Sequence, residues 1–371
     1  MKILYVTGTK TYAAGNRVLV SWIDSLLRNN DCDLSVVFPP GGTLEIELAK
    51  RLDPDSYFFA FHYPFRLNSF LFFIKNFLRI LCFVNKKKPD IIHCNGEDIY
   101  FVLRYIAKFL KLPVIVHLHF HHSSNFYSWL FKKNFRPSWI FTVSKALYQE
   151  ELPKLGNIVD LSCVSVLHNC IDVDLIKNLS NKAFMFPNNS TFRLGVVAPI
   201  QKRKGQIHAL ALSSMLMKKN VDFSLYFAGG IRDHAYYIDC QSIIESDASL
   251  RERVFFLGFV DKVFSFMKSC HVILSFSSYE TFGMTVLEAM ALGKAFAGFS
   301  VPAIDEVLGQ SQLTVPFGDL DSLSDLVLHL LLDPSYRKKI ESKLLDRSLM
   351  FTPEKIVPKL IQVYQNLVSH Y

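Results

Sequence analysis

Ser277-Ser278-Tyr279-Glu280-Thr281-Phe282-Gly283-Met284-Thr285-Val286-Leu287-Glu288-Ala289-Met290-Ala291-Leu292-Gly293-Lys294 is the most informative run in this 371-residue chain. It follows an apolar strand at 272–275 and passes through a glycine turn into good helix formers at 286–292. That order leaves unpaired backbone amides near Gly283, Met284 and Thr285 at a helix N-terminus, where the helix dipole also favours negative charge. An anion site is expected there. Glu280 stands before the helix and Glu288 about two turns inside it. Carboxylates repel phosphate, so both are expected to accept hydrogen bonds from hydroxyls flanking the anion, as carboxylates do with ribose or sugar. Taken singly, the glutamates would be a solvated loop residue and part of a polar helix face. Strand, glycine turn and spacing together favour the site.

Outward from this segment, short β-rich runs alternate with helical stretches. The first half has strands expected at 3–7, 34–38, 57–61, 91–94, 114–118, 140–143 and 164–167. After a polar stretch at 178–191, read as a linker, a second series runs through 193–197, 223–227, 254–257, 272–275 and 295–299. Continuous apolar runs such as Val114-Ile115-Val116 suit strands buried on both faces of a parallel sheet. Two such series predict an α/β protein of two Rossmann-like, doubly wound domains, 1–180 and 190–355, facing a central cleft that holds the ligand. The chain beyond Pro353 reads as helix, and 356–371 is expected to pack back on the first domain. Directly after the second series' first strand comes Pro199-Ile200-Gln201-Lys202-Arg203-Lys204-Gly205-Gln206. A basic loop there can neutralise a diphosphate, and Gly205 permits close approach.

Composition narrows the class. Half of the residues are hydrophobic, which supports two cores and excludes disorder. Seven scattered cysteines with no C-x-x-C argue against a disulfide framework and for a reducing compartment, so a cytoplasmic protein is expected. The first residues, Met1-Lys2-Ile3-Leu4-Tyr5-Val6, read as a buried strand and not as a signal peptide. No apolar stretch approaches the roughly 18 residues of a membrane span. The net charge of +8 is concentrated: residues 60–136 carry twelve Lys/Arg against three Asp/Glu. Such an excess points to an anionic partner.

The segment from Glu280 to Glu288 resembles the signature of retaining glycosyltransferases of family 4, which have the GT-B fold. Lys204-Gly205 resembles that family's Lys-Gly element, and Ala228-Gly229-Gly230 its glycine turn after the next strand. Val143-Ser144 and Leu167-His168-Asn169-Cys170-Ile171-Asp172 resemble two further landmarks near the domain junction. The resemblance, strongest over 193–310, implies that Lys204 binds the donor diphosphate, Glu280 positions the transferred sugar and Glu288 holds the ribose hydroxyls. Amides at Gly283, Met284 and Thr285 would support phosphate and sugar. One position departs from the pattern: an arginine usual five residues before the lysine is Pro199 here. Arg203 or Lys202 is the expected substitute.

In the first domain, the turn Gly8-Thr9-Lys10-Thr11-Tyr12-Ala13-Ala14-Gly15-Asn16-Arg17 matches the family turn whose glycine approaches donor and acceptor. Gly15 is its counterpart, with Asn16 where a second glycine is common. Val116-His117-Leu118-His119-Phe120-His121-His122 places histidines at alternating positions of a strand. Zinc is conceivable on that pattern, but no acidic or cysteine ligand is close in sequence, and no metal or cofactor is expected. The resemblance assigns His119 to the transferred sugar. Residues 68–88 read as an apolar helix with Asn68, Lys75, Arg79 and Lys86 on one stripe, followed by further lysines. Such a helix suits either the domain core or the anionic inner face of a plasma membrane.

The resemblance thus implies transfer of a hexosyl or N-acetylhexosaminyl group, with retention, from a nucleoside diphosphate donor to a hydroxyl of a glycan or lipid-linked glycan in bacterial polysaccharide synthesis. Two alternatives stay open: a nucleotide-sugar epimerase or phosphorylase on the same architecture, and a non-catalytic sugar-nucleotide-binding subunit. Nucleic-acid binding is not expected, because the basic excess coincides with an apolar helix and no reader motif is present.

Overall fold

Apolar runs become strands wherever Gly, Pro or polar residues bound them. In the computed structural model, which describes residues 1–12, 14–28, 32–60, 70–309 and 312–370, the first series forms β1 (Lys2–Val6), β2 (Asp33–Phe38), β3 (Tyr57–Phe59), β4 (Ile91–Cys94), β5 (Val114–Leu118), β6 (Trp139–Thr142) and β7 (Val164–Val166). The second forms β8 (Phe192–Val197), β9 (Phe223–Ala228), β10 (Val254–Gly258), β11 (Val272–Ser275), β12 (Ala295–Phe299) and β13 (Thr314–Val315). Every expected strand is present within a residue or two at its ends. Phe61, placed at the end of the third strand, lies outside the described residues. The two-residue β13 was not anticipated, being too short for a periodic signal.

Two compact units result, Met1–Ile171 with Pro353–Tyr371, and Asp172–Thr352. The polar stretch 178–191 therefore lies within the second unit. In the first, the strand order is β3-β2-β1-β4-β5-β6-β7; in the second it is β10-β9-β8-β11-β12-β13. All strand pairs are parallel. Both sheets are doubly wound, with the strand order reversing between β1 and β4 and between β8 and β11. At such a reversal the flanking helices leave on opposite faces and open a crevice beyond the carboxyl ends of the strands.

Helix starts are marked by side-chain caps. Ser144 accepts from the Leu147 amide at 2.9 Å, and Asp172 from Leu175 at 2.9 Å. Each satisfies one of the donors a helix leaves orphaned. The helix Pro353–Ser369 returns to the first unit, where Leu360 and Tyr364 are fully buried and Lys359 Nζ donates to the Val166 carbonyl at 2.7 Å. Helix Phe70–Lys87 turns Ile80, Phe83 and Val84 inward and leaves Lys75 and Leu78 exposed. Arg79 lies over the Phe58 ring at 5.1 Å, so this member of the expected stripe covers an aromatic side chain. Asn68 falls outside the described residues. Among the described residues, no helix is long and apolar enough to cross a membrane.

Candidate active site

In the second unit the basic loop leaves β8 and the glutamate loop leaves β11, neighbours at the strand-order reversal. Gly205 takes a left-handed backbone, φ 67°, and an added Cβ would lie 2.3 Å from the Phe276 carbonyl oxygen. Only glycine lets the two loops approach this closely. The Ser278 amide donates to the Arg203 carbonyl at 3.0 Å, joining their backbones.

This contact brings together residues separated by 76 positions. Lys204 Nζ donates to Glu280 Oε1, which also accepts from Ser277 Oγ at 2.8 Å. Arg203 donates to the Tyr279 carbonyl at 2.5 Å and lies 3.7 Å from Glu280 Oε2. Lys202 is exposed. Of the two cations considered in place of the arginine absent at Pro199, Arg203 is therefore the one against the glutamate loop. The Lys204 and Glu280 side chains are largely sheltered, 13% and 18% exposed, which strengthens their electrostatics compared with a solvated pair.

Gly283, φ 95°, starts the helix Met284–Ala291 without a side-chain cap. The Met284 and Thr285 amides thus head a helix whose first donors point out of its end. Thr285 Oγ1 donates to the Val197 carbonyl at 3.3 Å, fixing that end to β8. Glu288 is buried in the second turn of this helix, 3% exposed. Lys204, Arg203, Glu280 and the helix tip thus converge at the carboxyl ends of β8 and β11. The arrangement presents cations and amide donors for a phosphate, beside a carboxylate held in place by its own lysine.

The first unit gathers a second polar group at the ends of β1, β4 and β5. Asn16 is 3% exposed; its Oδ1 accepts from Thr7 Oγ1 at 3.1 Å, and its Nδ2 donates to Thr9 Oγ1 at 2.7 Å and the Thr11 carbonyl at 2.8 Å. The Asn16 side-chain amide thus closes the turn. Gly15 lies beside His119, where an added Cβ would be 3.9 Å from Cε1. His119 Nε2 meets Asn95 Oδ1 at 2.9 Å, and the His119 amide donates to Glu97 Oε2 at 3.3 Å. With Asn95 Oδ1 as the acceptor, the ring proton sits on Nε2. Burial lowers the His119 pKa, opposed by Glu97 and Asp98, so the ring is biased towards its neutral form.

His122 Nε2 contacts Glu97 Oε1 at 2.6 Å. Sequence reasoning missed Asn95 and Glu97, which sit in the turn Asn95-Gly96-Glu97-Asp98 directly after a predicted strand. The same strand-then-glycine signal that singled out residues 8–17 would have found them. Among the described residues, no group of three or more His, Cys, Asp or Glu is arranged to hold a metal ion.

Two parallel doubly wound units in one chain, with a cation, carboxylate and helix-tip cluster at the strand-order reversal of the second, define a two-domain Rossmann-like protein of GT-B architecture. Comparison with known proteins agrees. Residues 16–175 match the model of Glycosyltransferase Family 4, and residues 181–344 that of Glycosyl transferases group 1. The O-antigen biosynthesis glycosyltransferase WclY of Escherichia coli is 26% identical over 301 residues, 76% of this chain and 80% of its own. The N-acetyl-alpha-D-glucosaminyl L-malate synthase of Bacillus anthracis is 30% identical over 122 residues, 32% of each chain. In fold, the Anabaena Alr3699/HepE structure in complex with UDP superposes with a TM-score of 0.79 at 17% identity, covering 99% of this chain and 100% of its own. A glycosyltransferase from Rickettsia africae ESF-5 gives 0.80 at 16% identity, covering 100% and 99%. The chain belongs to the family 4 glycosyltransferases.

Proposed function

We propose that this glycosyltransferase retains anomeric configuration and moves a hexosyl or N-acetylhexosaminyl group from a nucleoside diphosphate sugar to a hydroxyl of a glycan or lipid-linked glycan. The observation that carries this is the Lys204–Glu280 pair beside the Met284–Ala291 helix tip. As the bond from the sugar's anomeric carbon to the diphosphate breaks, negative charge builds on the leaving phosphate. Lys204, Arg203 and the amides of Met284 and Thr285 are placed to stabilise it. Glu280 is then the hydrogen-bond acceptor for the sugar and Glu288 for the ribose, with Gly15 and His119 serving the transferred sugar. A leaving phosphate oxygen takes the proton of the acceptor hydroxyl on the same face, so no protein nucleophile is required. The positive charge is supplied by side chains and amides, which suits a metal-independent transfer.

Two relatives support the substrate classes. WclY is an O-antigen biosynthesis enzyme, and Alr3699/HepE was crystallised with UDP and with UDP-glucose. The cation-rich, partly apolar surface of helix Phe70–Lys87 supports peripheral contact with an anionic membrane surface, the cytoplasmic leaflet being the anionic one. Screening UDP-, GDP- and ADP-sugars by thermal shift and then by turnover tests the donor assignment; no stabilisation by any of them would reject it. NMR of the anomeric proton in the first-formed product tests retention. Sedimentation with anionic and neutral liposomes tests the membrane contact, and equal negligible binding to both would end it.

A further inference from the structure

On β5, the side chains at 115 and 117 project from one face, and His119, the first residue beyond the strand, stacks on His117. Register pairs Tyr5 with His93 and His117 with Phe141, which places these four side chains on that same face. Two helices of the first unit contribute to its cover: Ala14–Arg28 supplies Trp22, and Pro353–Ser369 supplies Tyr364. The His117 ring is fully buried against two others. The Trp22 indole stacks on it at 5.2 Å and 7°, and the His119 imidazole at 4.9 Å and 17°. Three near-parallel rings form a column ending at the candidate site.

The column is braced from the side. His93 lies 5.7 Å from His117 and 5.6 Å from Trp22 between ring centroids. Its Nδ1 contacts Tyr364 Oη at 2.5 Å, and Tyr364 donates to Tyr5 Oη at 2.8 Å. The ring nitrogens of His117 are buried and make no side-chain hydrogen bond, the Leu167 backbone being the polar group that acts on them. Its two faces carry its contacts with Trp22 and His119. Burial, reinforced by the neighbouring His119, holds both His93 and His117 neutral.

We infer that His117 is a positioning residue for His119: clamped between Trp22 and His119, it sets the plane of the His119 ring while Asn95 sets its rotation. This rests on the proposed role of His119 at the transferred sugar. A hydrogen bond to a substrate hydroxyl is directional, so a ring free to tilt makes it less often. The stack makes His119 a preorganised partner without charging it, and the same face seats the C-terminal helix through Tyr364.

The test uses the full chain with the donor identified by the panel above. His117→Leu removes the aromatic face and is expected to lower kcat about tenfold with donor KM within about twofold. His117→Phe keeps a ring that can stack and is expected to restore kcat to within about threefold of the parent. His119→Ala should lose at least as much as His117→Leu, and the double variant His117→Leu/His119→Ala should be no worse than His119→Ala alone. In side-chain ¹⁵N spectra of the histidines, His119 should shift in His117→Leu and much less in His117→Phe. Wild-type kcat with an unmoved His119 signal in His117→Leu would overturn the inference, as would equal losses in the Leu and Phe variants or additive losses in the double. If His117→Leu does not fold, His117→Met takes its place. An unchanged kcat in His119→Ala would instead reject the role of His119, while the spectra alone would still decide whether His117 orders it.

Discussion

In the proposed transfer the chemistry rests on three side chains, Lys204, Arg203 and Glu280, and their contacts separate their roles. Lys204 is sheltered and bonded to Glu280, so removing it takes away the proposed phosphate contact and leaves Glu280 with Ser277 and the longer pair to Arg203. Lys204→Ala should weaken donor affinity by about 1.5–3 kcal/mol, roughly ten- to a hundredfold, measured by calorimetry with the active donor. Glu280→Gln keeps the size of the side chain and can still donate to and accept from hydroxyls, but it no longer holds an ammonium. It should reduce kcat strongly while melting temperature stays near that of the parent. Arg203 is more exposed, 42% by side chain, and tied to the Tyr279 carbonyl. Arg203→Ala should raise donor Kd less than Lys204→Ala does. Unchanged affinity and turnover would show that Arg203 does not replace the arginine absent at Pro199.

At the scale of elements, two loops meet because one glycine has no side chain. Gly205 combines a left-handed backbone with the Phe276 carbonyl where a Cβ would stand. Gly205→Ala should therefore push the basic loop away from β11, at a cost of about 1–3 kcal/mol in local strain, and separate Lys204 from Glu280. Donor affinity should fall in this variant even though every polar side chain of the site remains, which titration with the donor would check. Most elements were legible in the sequence because their apolar periodicity is strong and their ends carry Ser, Asp, Gly or Pro. The short β13 was not, since two residues carry no period. Asn16 adds a finer grain: its place in a glycine-rich turn suggested a ligand contact, and only the tertiary structure shows that its side chain also closes the turn through Thr7, Thr9 and Thr11.

For the molecule as a whole, the C-terminal helix belongs to the unit that the chain left at Asp172. Its Val357, Leu360 and Tyr364 are buried, so truncation after Thr352 should destabilise the first unit and spare the second. Limited proteolysis with mass mapping should find new cuts within 1–171 only. Acid should act on both units. Burial lowers His93 to about 3 and, with help from Arg193, Arg337 and Lys294, His271 to about 4. Unfolded, each takes up a proton below about 6.5; folded, only near those lower values. Between the two the unfolded chain holds more protons, so stability falls as pH drops from 6.5 towards 4. For His93 this amounts to as much as about 1.4 kcal/mol per pH unit. A melting temperature that stays flat from pH 7 to 4.5 would contradict it.

By itself, the order of residues was enough to settle the two α/β series, the helix that starts at Gly283 after β11 and the basic loop after β8, because each is a local pattern within one strand, turn and helix. Which loops touch was decided only by the tertiary structure. Lys204 and Glu280 meet because β8 and β11 are neighbours at a strand-order reversal, and His117, Trp22, His93 and Tyr364 form one cluster because four separate elements share a sheet face. No local pattern records such pairings, since they follow from how parallel strands order themselves and which helix covers which face.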